Sequence, residues 1–148
     1  MASSQTPPPD QPEPGSVVHE NETPNTPRIL IVEDEFIVSM EMESALAEAG
    51  FTVVGVANSA DQAVQYAVRE RPDLVIMDIR LIGQRDGIDA AIEISRSTGI
   101  RCVFATAHRD VQTLARAEAA APLGWLTKPY TRDMLIEAVT RALLKLRG

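Results

Sequence analysis

Apolar positions along this chain fall into five short runs, separated by stretches that repeat at helical spacing. RILIV (28–32), FTVVGVA (51–57), DLVIMD (73–78), RCVFAT (101–106) and WLT (125–127) are short and rich in branched or aromatic side chains, so they read as buried strands. Residues 36–49 place Ile37, Met40, Ala45, Leu46 and Ala49 near one helical face, and Gly50 is a natural stop just past the end. Ser59 and Gln62 have capping-box spacing and open a second helix that runs to Glu70, where Pro72 forbids continuation. A third helix opens at Gly87 and runs to Arg96, with Ile88, Ala91, Ile92 and Ser95 spaced for one face and Gly99 beyond its end. Residues 109–120 are helical, alanine-rich and weakly amphipathic, and Pro122-Leu123-Gly124 breaks them off. Their few large anchors predict a helix less stable than its neighbours. Thr131 caps a last helix with Met134, Leu135, Ala138, Val139, Ala142, Leu143 and Leu146 on its buried side.

Strands alternating with helices in this way predict an α/β fold with a parallel sheet covered on both faces. The pattern occupies residues 28–148 as one domain, with no internal repeat. Residues 1–27 differ in kind. They hold seven of the ten prolines, carry Asp10, Glu13, Glu20 and Glu22 with no Lys or Arg, and have few apolar side chains. Such a segment buries too little surface to offset its ordering entropy, so it reads as a disordered tail in which His19 is a solvated side chain.

Charge narrows the classes of partner. The net charge is −7, of which the first 27 residues hold −4. The remainder has 17 acids and 14 bases and no basic stripe suited to nucleic acid. The one cysteine, Cys102, lies inside an apolar run and reads as a small core residue. The opening MASSQTPPPD lacks the pattern of a secretory signal, and no run reaches membrane-span length. A cytoplasmic protein is the expectation.

The chemistry lies at the strand ends. Parallel strands in a doubly wound sheet deliver their carboxyl ends to one edge. Glu33 and Asp34 follow the first strand, Asp78 ends the third, Thr106 ends the fourth and Lys128 follows the fifth. Three carboxylates, a hydroxyl and an amine therefore share one edge despite wide separation in sequence. Hard oxygen ligands suit Mg2+. A carboxylate at the end of an apolar run is an expensive charge unless something uses it, and it can attack phosphorus as a nucleophile. Taken singly, the acidic group reads as a solvated rim, Thr106 as a strand-end cap and Lys128 as a surface lysine. Glu35 reads as a first-turn carboxylate favoured by the helix dipole.

VEDE after the first strand, VIMDI at the third, FATA at the fourth and GWLTKPY at the fifth resemble the receiver domain of bacterial two-component response regulators. The resemblance covers residues 28–147. It implies a three-layer flavodoxin-like (βα)5 fold with strand order 2-1-3-4-5 and a cis Lys128-Pro129 bond. It implies Asp78 as phospho-acceptor, with Mg2+ held by Asp34, Asp78, the Arg80 backbone carbonyl and, through water, Glu33. Thr106 and Lys128 would address the phosphoryl group. The donor would be a partner histidine kinase or histidine phosphotransfer protein. Output would be protein contact through the fourth helix, fifth strand and fifth helix, where Arg116, Trp125, Arg132 and Arg141 lie. The protein would be no enzyme beyond its own phosphoryl uptake and loss.

The chain departs from the family pattern at several points. Ile82 and Asp86 stand where a proline and a glycine are usual, and the glycine comes one residue late, at Gly87. LIGQRDGIDAA with FAT resembles a stand-alone subgroup whose fourth strand reads Phe-x-Thr-Gly-Tyr, yet here Ala107-His108 replaces Gly-Tyr. Trp125 stands where the family has a switch Tyr or Phe. Arg80 and His108 occupy positions that tune phosphoryl lifetime in the family. A competing expectation is a phosphorylation-independent binding module with a vestigial acidic site. An aspartate-nucleophile phosphatase is disfavoured because it needs a second Asp where this chain has Arg80, and no phosphate-loop motif occurs.

Overall fold

A computed structural model describes residues 26–148, so the tail expected over 1–27 and its His19 lie outside the described residues apart from Thr26 and Pro27. Five strands, β1 (Arg28–Val32), β2 (Thr52–Ala57), β3 (Leu74–Asp78), β4 (Cys102–Thr106) and β5 (Gly124–Thr127), form one parallel sheet in the order β2-β1-β3-β4-β5. Helices α1 (Phe36–Glu48), α2 (Ala60–Glu70), α3 (Gly87–Thr98), α4 (Val111–Ala117) and α5 (Arg132–Arg147) connect and follow them. This is the flavodoxin-like (βα)5 arrangement with the order 2-1-3-4-5.

Two cores follow from the two-residue period of a strand. Leu30 and Val32, Val75 and Met77, and Cys102 and Phe104 face α2 and α3, where Ala63, Ala67, Ile88 and Ile94 complete the packing. Ile29 and Ile31, Leu74 and Ile76, and Val103 and Ala105 face α1 and α5, against Met42, Leu46, Leu135 and Val139. Each fully buried Leu, Ile or Val contributes roughly 1.5–3 kcal/mol. Cys102 is one of these core residues, and burial pushes its thiol pKa up.

The helix starts are set by local chemistry. Ser59 accepts the Gln62 N–H, while the Gln62 side chain accepts from Asn58 rather than from the cap residue itself. Thr131 accepts the Met134 N–H at 3.1 Å. Asp86 and Asp89 form a reciprocal capping box at the start of α3. Gly99 ends α3 with φ of 78°.

The helix faces differ from the sequence reading in detail. On α1 the buried residues are Ser39, Met42, Ala45 and Leu46, whereas Ile37 and Met40 are 70% and 50% exposed and Ala49 faces solvent. The segment FIVSMEMESALAE has apolar side chains all round, so periodicity alone does not select the side that meets the sheet. Ser39 is tolerated inside because its hydroxyl donates to the Phe36 carbonyl. On α3 the buried stripe runs through Ala90 and Ile94 instead of Ile92 and Ser95. On α5, Met134 and Leu146 are exposed. The alanine-rich stretch forms a helix only over 111–117 and tightens to a 3-10 turn at Glu118–Ala120; within α4 only Ala117 is buried.

Gly87 carries a structural requirement. Its N–H donates to Ile79 O at 2.8 Å, and a Cβ built on it would lie 2.0 Å from the backbone oxygen of Asp78. The start of α3 therefore rests directly on the Asp78 peptide, and the loop 79–86 takes up the one-residue lateness of the glycine. Gly87→Ala is expected to destabilise the protein by about 3 kcal/mol or more, measured by urea unfolding, because backbone cannot yield as a flexible side chain would. A loss below about 0.5 kcal/mol, the range of an ordinary surface change, would contradict this packing.

Candidate functional site

The sheet ladder continues past the strand ends and fixes the backbone of the site. Glu33 N–H donates to Ala57 O, Ile79 N–H to Ala105 O, and Lys128 N–H to Thr106 O. These bonds bring Glu33, Asp34, Asp78, Thr106 and Lys128 to the carboxyl edge of the sheet. The peptide between Lys128 and Pro129 is cis.

Asp78 and Glu33 are 4% and 2% exposed. Lys128 Nζ donates to Asp78 Oδ2 at 2.9 Å and stands 3.6 Å from Glu33 Oε1. The other Asp78 oxygen accepts the Arg80 N–H at 3.1 Å. Glu33 Oε2 accepts the Glu35 N–H. Burial, and then the charge of Asp78, pushes the Glu33 carboxyl up to about 7. Burial opposes the charge on Lys128, but the Asp78 hydrogen bond and the neighbouring carboxylates outweigh it and hold the amine pKa above its ordinary value. Burial raises the Tyr130 hydroxyl to about 12, with Glu33 acting in the same direction.

An open cleft of about 660 Å3 reaches Asp78 from solvent; Asp34, Glu35, Arg80, Ile82, Asp86, Ala107 and Lys128 also line it. Carboxylate oxygens of Glu33, Asp34 and Glu35 come within 4.8 Å of one another. Glu35, which the sequence reading assigned to the helix dipole, is thus a member of this acidic cluster. Its position at the N-cap of α1 without a side-chain cap bond is the signal that frees it for this. Hard oxygen donors, crowded and partly desolvated, fit a small divalent cation, which would offset the repulsion that raises Glu33.

Thr106 stands apart from this constellation. Its hydroxyl donates to His108 O at 3.1 Å and accepts the His108 N–H at 3.2 Å, closing a turn in the β4–α4 loop rather than bonding Asp78. Trp125 is half-buried, with its ring 5.2 Å from Phe104 and the Arg109 guanidinium 5.3 Å from its own centroid. Arg116, Arg132 and Arg141 are exposed, and each is ion-paired to a carboxylate.

Residues 29–140 match the response regulator receiver domain profile. The chain belongs to the response regulator receiver domain family. It is 38% identical over 120 residues to the transcriptional regulatory protein PdtaR of Mycobacterium tuberculosis, covering 81% of this chain and 58% of that protein. It is 33% identical over 117 residues to the chemotaxis protein CheY of Bacillus subtilis, covering 78% of this chain and 97% of that protein. The signal receiver domain of a modulated diguanylate cyclase from Desulfovibrio desulfuricans G20 superposes with a TM-score of 0.76 at 32% identity, covering 83% of this chain and 98% of that one. The chain therefore spans a little over half the length of PdtaR and nearly all of CheY. Receivers of this family serve two-component signalling, are phosphorylated and bind Mg2+ at an acidic site; they are signalling modules rather than enzymes in general. Among the described residues no helix is long and apolar enough to cross a membrane.

The raised carboxyl of Glu33 has a thermodynamic consequence. Its folded-state pKa of about 7 lies above its ordinary value of 4.5, so its contribution to stability is greatest below pH 4.5 and is lost as pH rises through about 7. Urea unfolding in the presence of a chelator should show Glu33→Gln more stable than wild type by about 1–3 kcal/mol at pH 8, with the gap closing towards pH 5. An equal gap at both pH values would refute the electrostatic origin.

Proposed function

We propose that the chain accepts a phosphoryl group on Asp78 from a histidine kinase or histidine phosphotransfer protein and signals through phosphorylation-dependent protein contact. The observation that carries this is the buried Asp78 carboxylate at the foot of an open cleft, hydrogen-bonded to Lys128 Nζ at 2.9 Å and flanked by the acidic cluster. An Asp78 oxygen attacks the phosphorus of a phosphohistidine. A P–O bond forms, the P–N bond breaks, and its electron pair returns to the imidazole nitrogen. Lys128 lies where it can hold both the carboxylate and an incoming phosphoryl oxygen. Asp34, Asp78 and the Arg80 carbonyl, with Glu33 beside them, would hold Mg2+. When bound, the ion supplies positive charge against the phosphoryl oxygens. Thr106 must leave its turn with His108 before its hydroxyl can address the phosphoryl group.

Output by protein contact fits the charge of residues 28–148, which is −3 and unsuited to non-specific attraction to nucleic acid. The face built from α4, β5 and α5 is the candidate surface. Ala107 leaves room beside Asp78 for a donor, and Arg80 lines the approach.

Incubating the protein with a small phosphodonor and Mg2+ should add one phosphoryl mass by intact mass spectrometry. Asp78→Asn should abolish the adduct, and a chelator should suppress it. No adduct with small donors or a partner kinase would favour the phosphorylation-independent binding module instead.

Trp125 offers a second readout because it is the one tryptophan of the chain. Binding of beryllofluoride with Mg2+ should change its emission as the β4–α4 loop, which carries Arg109, is displaced. Thr106→Ala should weaken that change by removing the hydroxyl that closes the turn with His108 and would address the phosphoryl group. Unchanged emission in wild type under saturating mimic would remove Trp125 from the switch.

A further inference from the structure

Helix α4 has little apolar attachment, since within it only Ala117 is buried. Its firmest tie is polar. Arg116 sends one guanidinium nitrogen to Asp86 Oδ2 at 2.9 Å and the other to Asp86 Oδ1 at 3.1 Å, with a third contact to Asp89 Oδ1 at 3.3 Å. A planar fork on a carboxylate is geometrically demanding in a way a lysine contact is not. Asp86 is itself fixed. It caps α3, accepting the Asp89 N–H at 3.0 Å while Asp89 accepts the Asp86 N–H at 3.0 Å.

The same residue borders the cleft. Asp86 lines it together with Asp34, Asp78 and Lys128. The next residue, Gly87, bonds Ile79 O and rests on the Asp78 peptide so closely that no Cβ fits between them. A continuous series of short contacts thus runs from Asp78 through Gly87 and Asp86 to Arg116.

We propose that Arg116, acting through the Asp86–Asp89 cap and Gly87, is a positioning residue that couples occupancy of the Asp78 cleft to the docking of α4. The inference rests on the reading of Asp78 as acceptor. Filling the cleft adds negative charge beside Asp86 and alters the competition for the guanidinium. Helix α4 then shifts between docked and loosened arrangements because one buried alanine offers little resistance. An exposed ion pair contributes little in a well-packed element, but it matters where apolar anchoring is this sparse. By linkage, the tie must act in both directions.

Amide hydrogen exchange over residues 111–117, with and without Mg2+ and beryllofluoride, tests this on the full chain. In wild type the mimic should change α4 exchange by about fivefold. In Arg116→Gln, and in Asp86→Asn, which keeps a cap acceptor, α4 should exchange about fivefold faster without mimic and lose its response to it. Arg116→Lys, retaining charge without the fork, should recover only part of the response. A full response in Arg116→Gln would overturn the coupling while leaving Asp78 as acceptor. Failure of the mimic to bind wild type would instead overturn the acceptor reading, and the coupling with it.

Discussion

Lys128 stands 2.9 Å from Asp78 and 3.6 Å from Glu33, and among the described residues it is the one cation paired with either carboxylate. The carboxylates are 5% and 1% exposed at their side chains, so water does little to separate their charges. Removing Lys128 would leave the buried carboxylates uncompensated, which typically costs about 3–5 kcal/mol. The surrounding architecture serves to hold this arrangement. Parallel register delivers Asp78 beside Ala105 and Thr106 beside Thr127, and the ladder bond from Lys128 N–H to Thr106 O sets where the amine begins. A slip of one residue in β3 would turn Asp78 towards a helix-covered face and bring an apolar side chain to the cleft.

From that edge the constraint spreads unevenly. On one side of the sheet, α1 and α5 bury Met42, Leu46, Leu135 and Val139 against the strands. On the other, α2 and α3 bury alanines, Ile88 and Ile94, while α4 adds Ala117 and relies on Arg116. Burial opposes the charge on Asp86, but the Arg116 and Asp89 hydrogen bonds outweigh it and hold Asp86 below its ordinary carboxylate range. The strand ends that form the cleft are thus backed by two apolar cores, whereas α4 has only Ala117 buried.

Much of this was legible in the sequence because the decisive features are local or periodic. The five strands and the acids, hydroxyl and amine at their ends follow from short apolar runs and a topological rule. Gly99, Ser59 and Thr131 announce their helix boundaries through backbone freedom or cap geometry. The faces of α1 were not legible, because a helix apolar on every side gives no preferred stripe; the sheet chose Met42 and Leu46 and left Ile37 and Met40 outside. The place of Glu35 in the acidic cluster was not legible for a related reason. Its cluster with Glu33 and Asp34 depends on the turn between β1 and α1, which no spacing rule encodes. The Thr106–His108 turn and the Arg116–Asp86 fork are likewise contacts whose partners are set by loop shape or lie 30 residues apart.

These illegible contacts share a physical character. The Arg109 stack on Trp125, the Thr106 turn and the Arg116 fork are polar, solvent-accessible in part, and individually weak. All three lie in or next to the segment from Thr106 to Ala117, next to a cleft whose charge and acceptor oxygens phosphorylation would change. Dispersion packing responds little to added charge. Hydrogen bonds and ion pairs respond at once, because the incoming oxygens compete for the same donors. A segment fastened mainly by such bonds is therefore the part of the fold most able to rearrange without disturbing either apolar core.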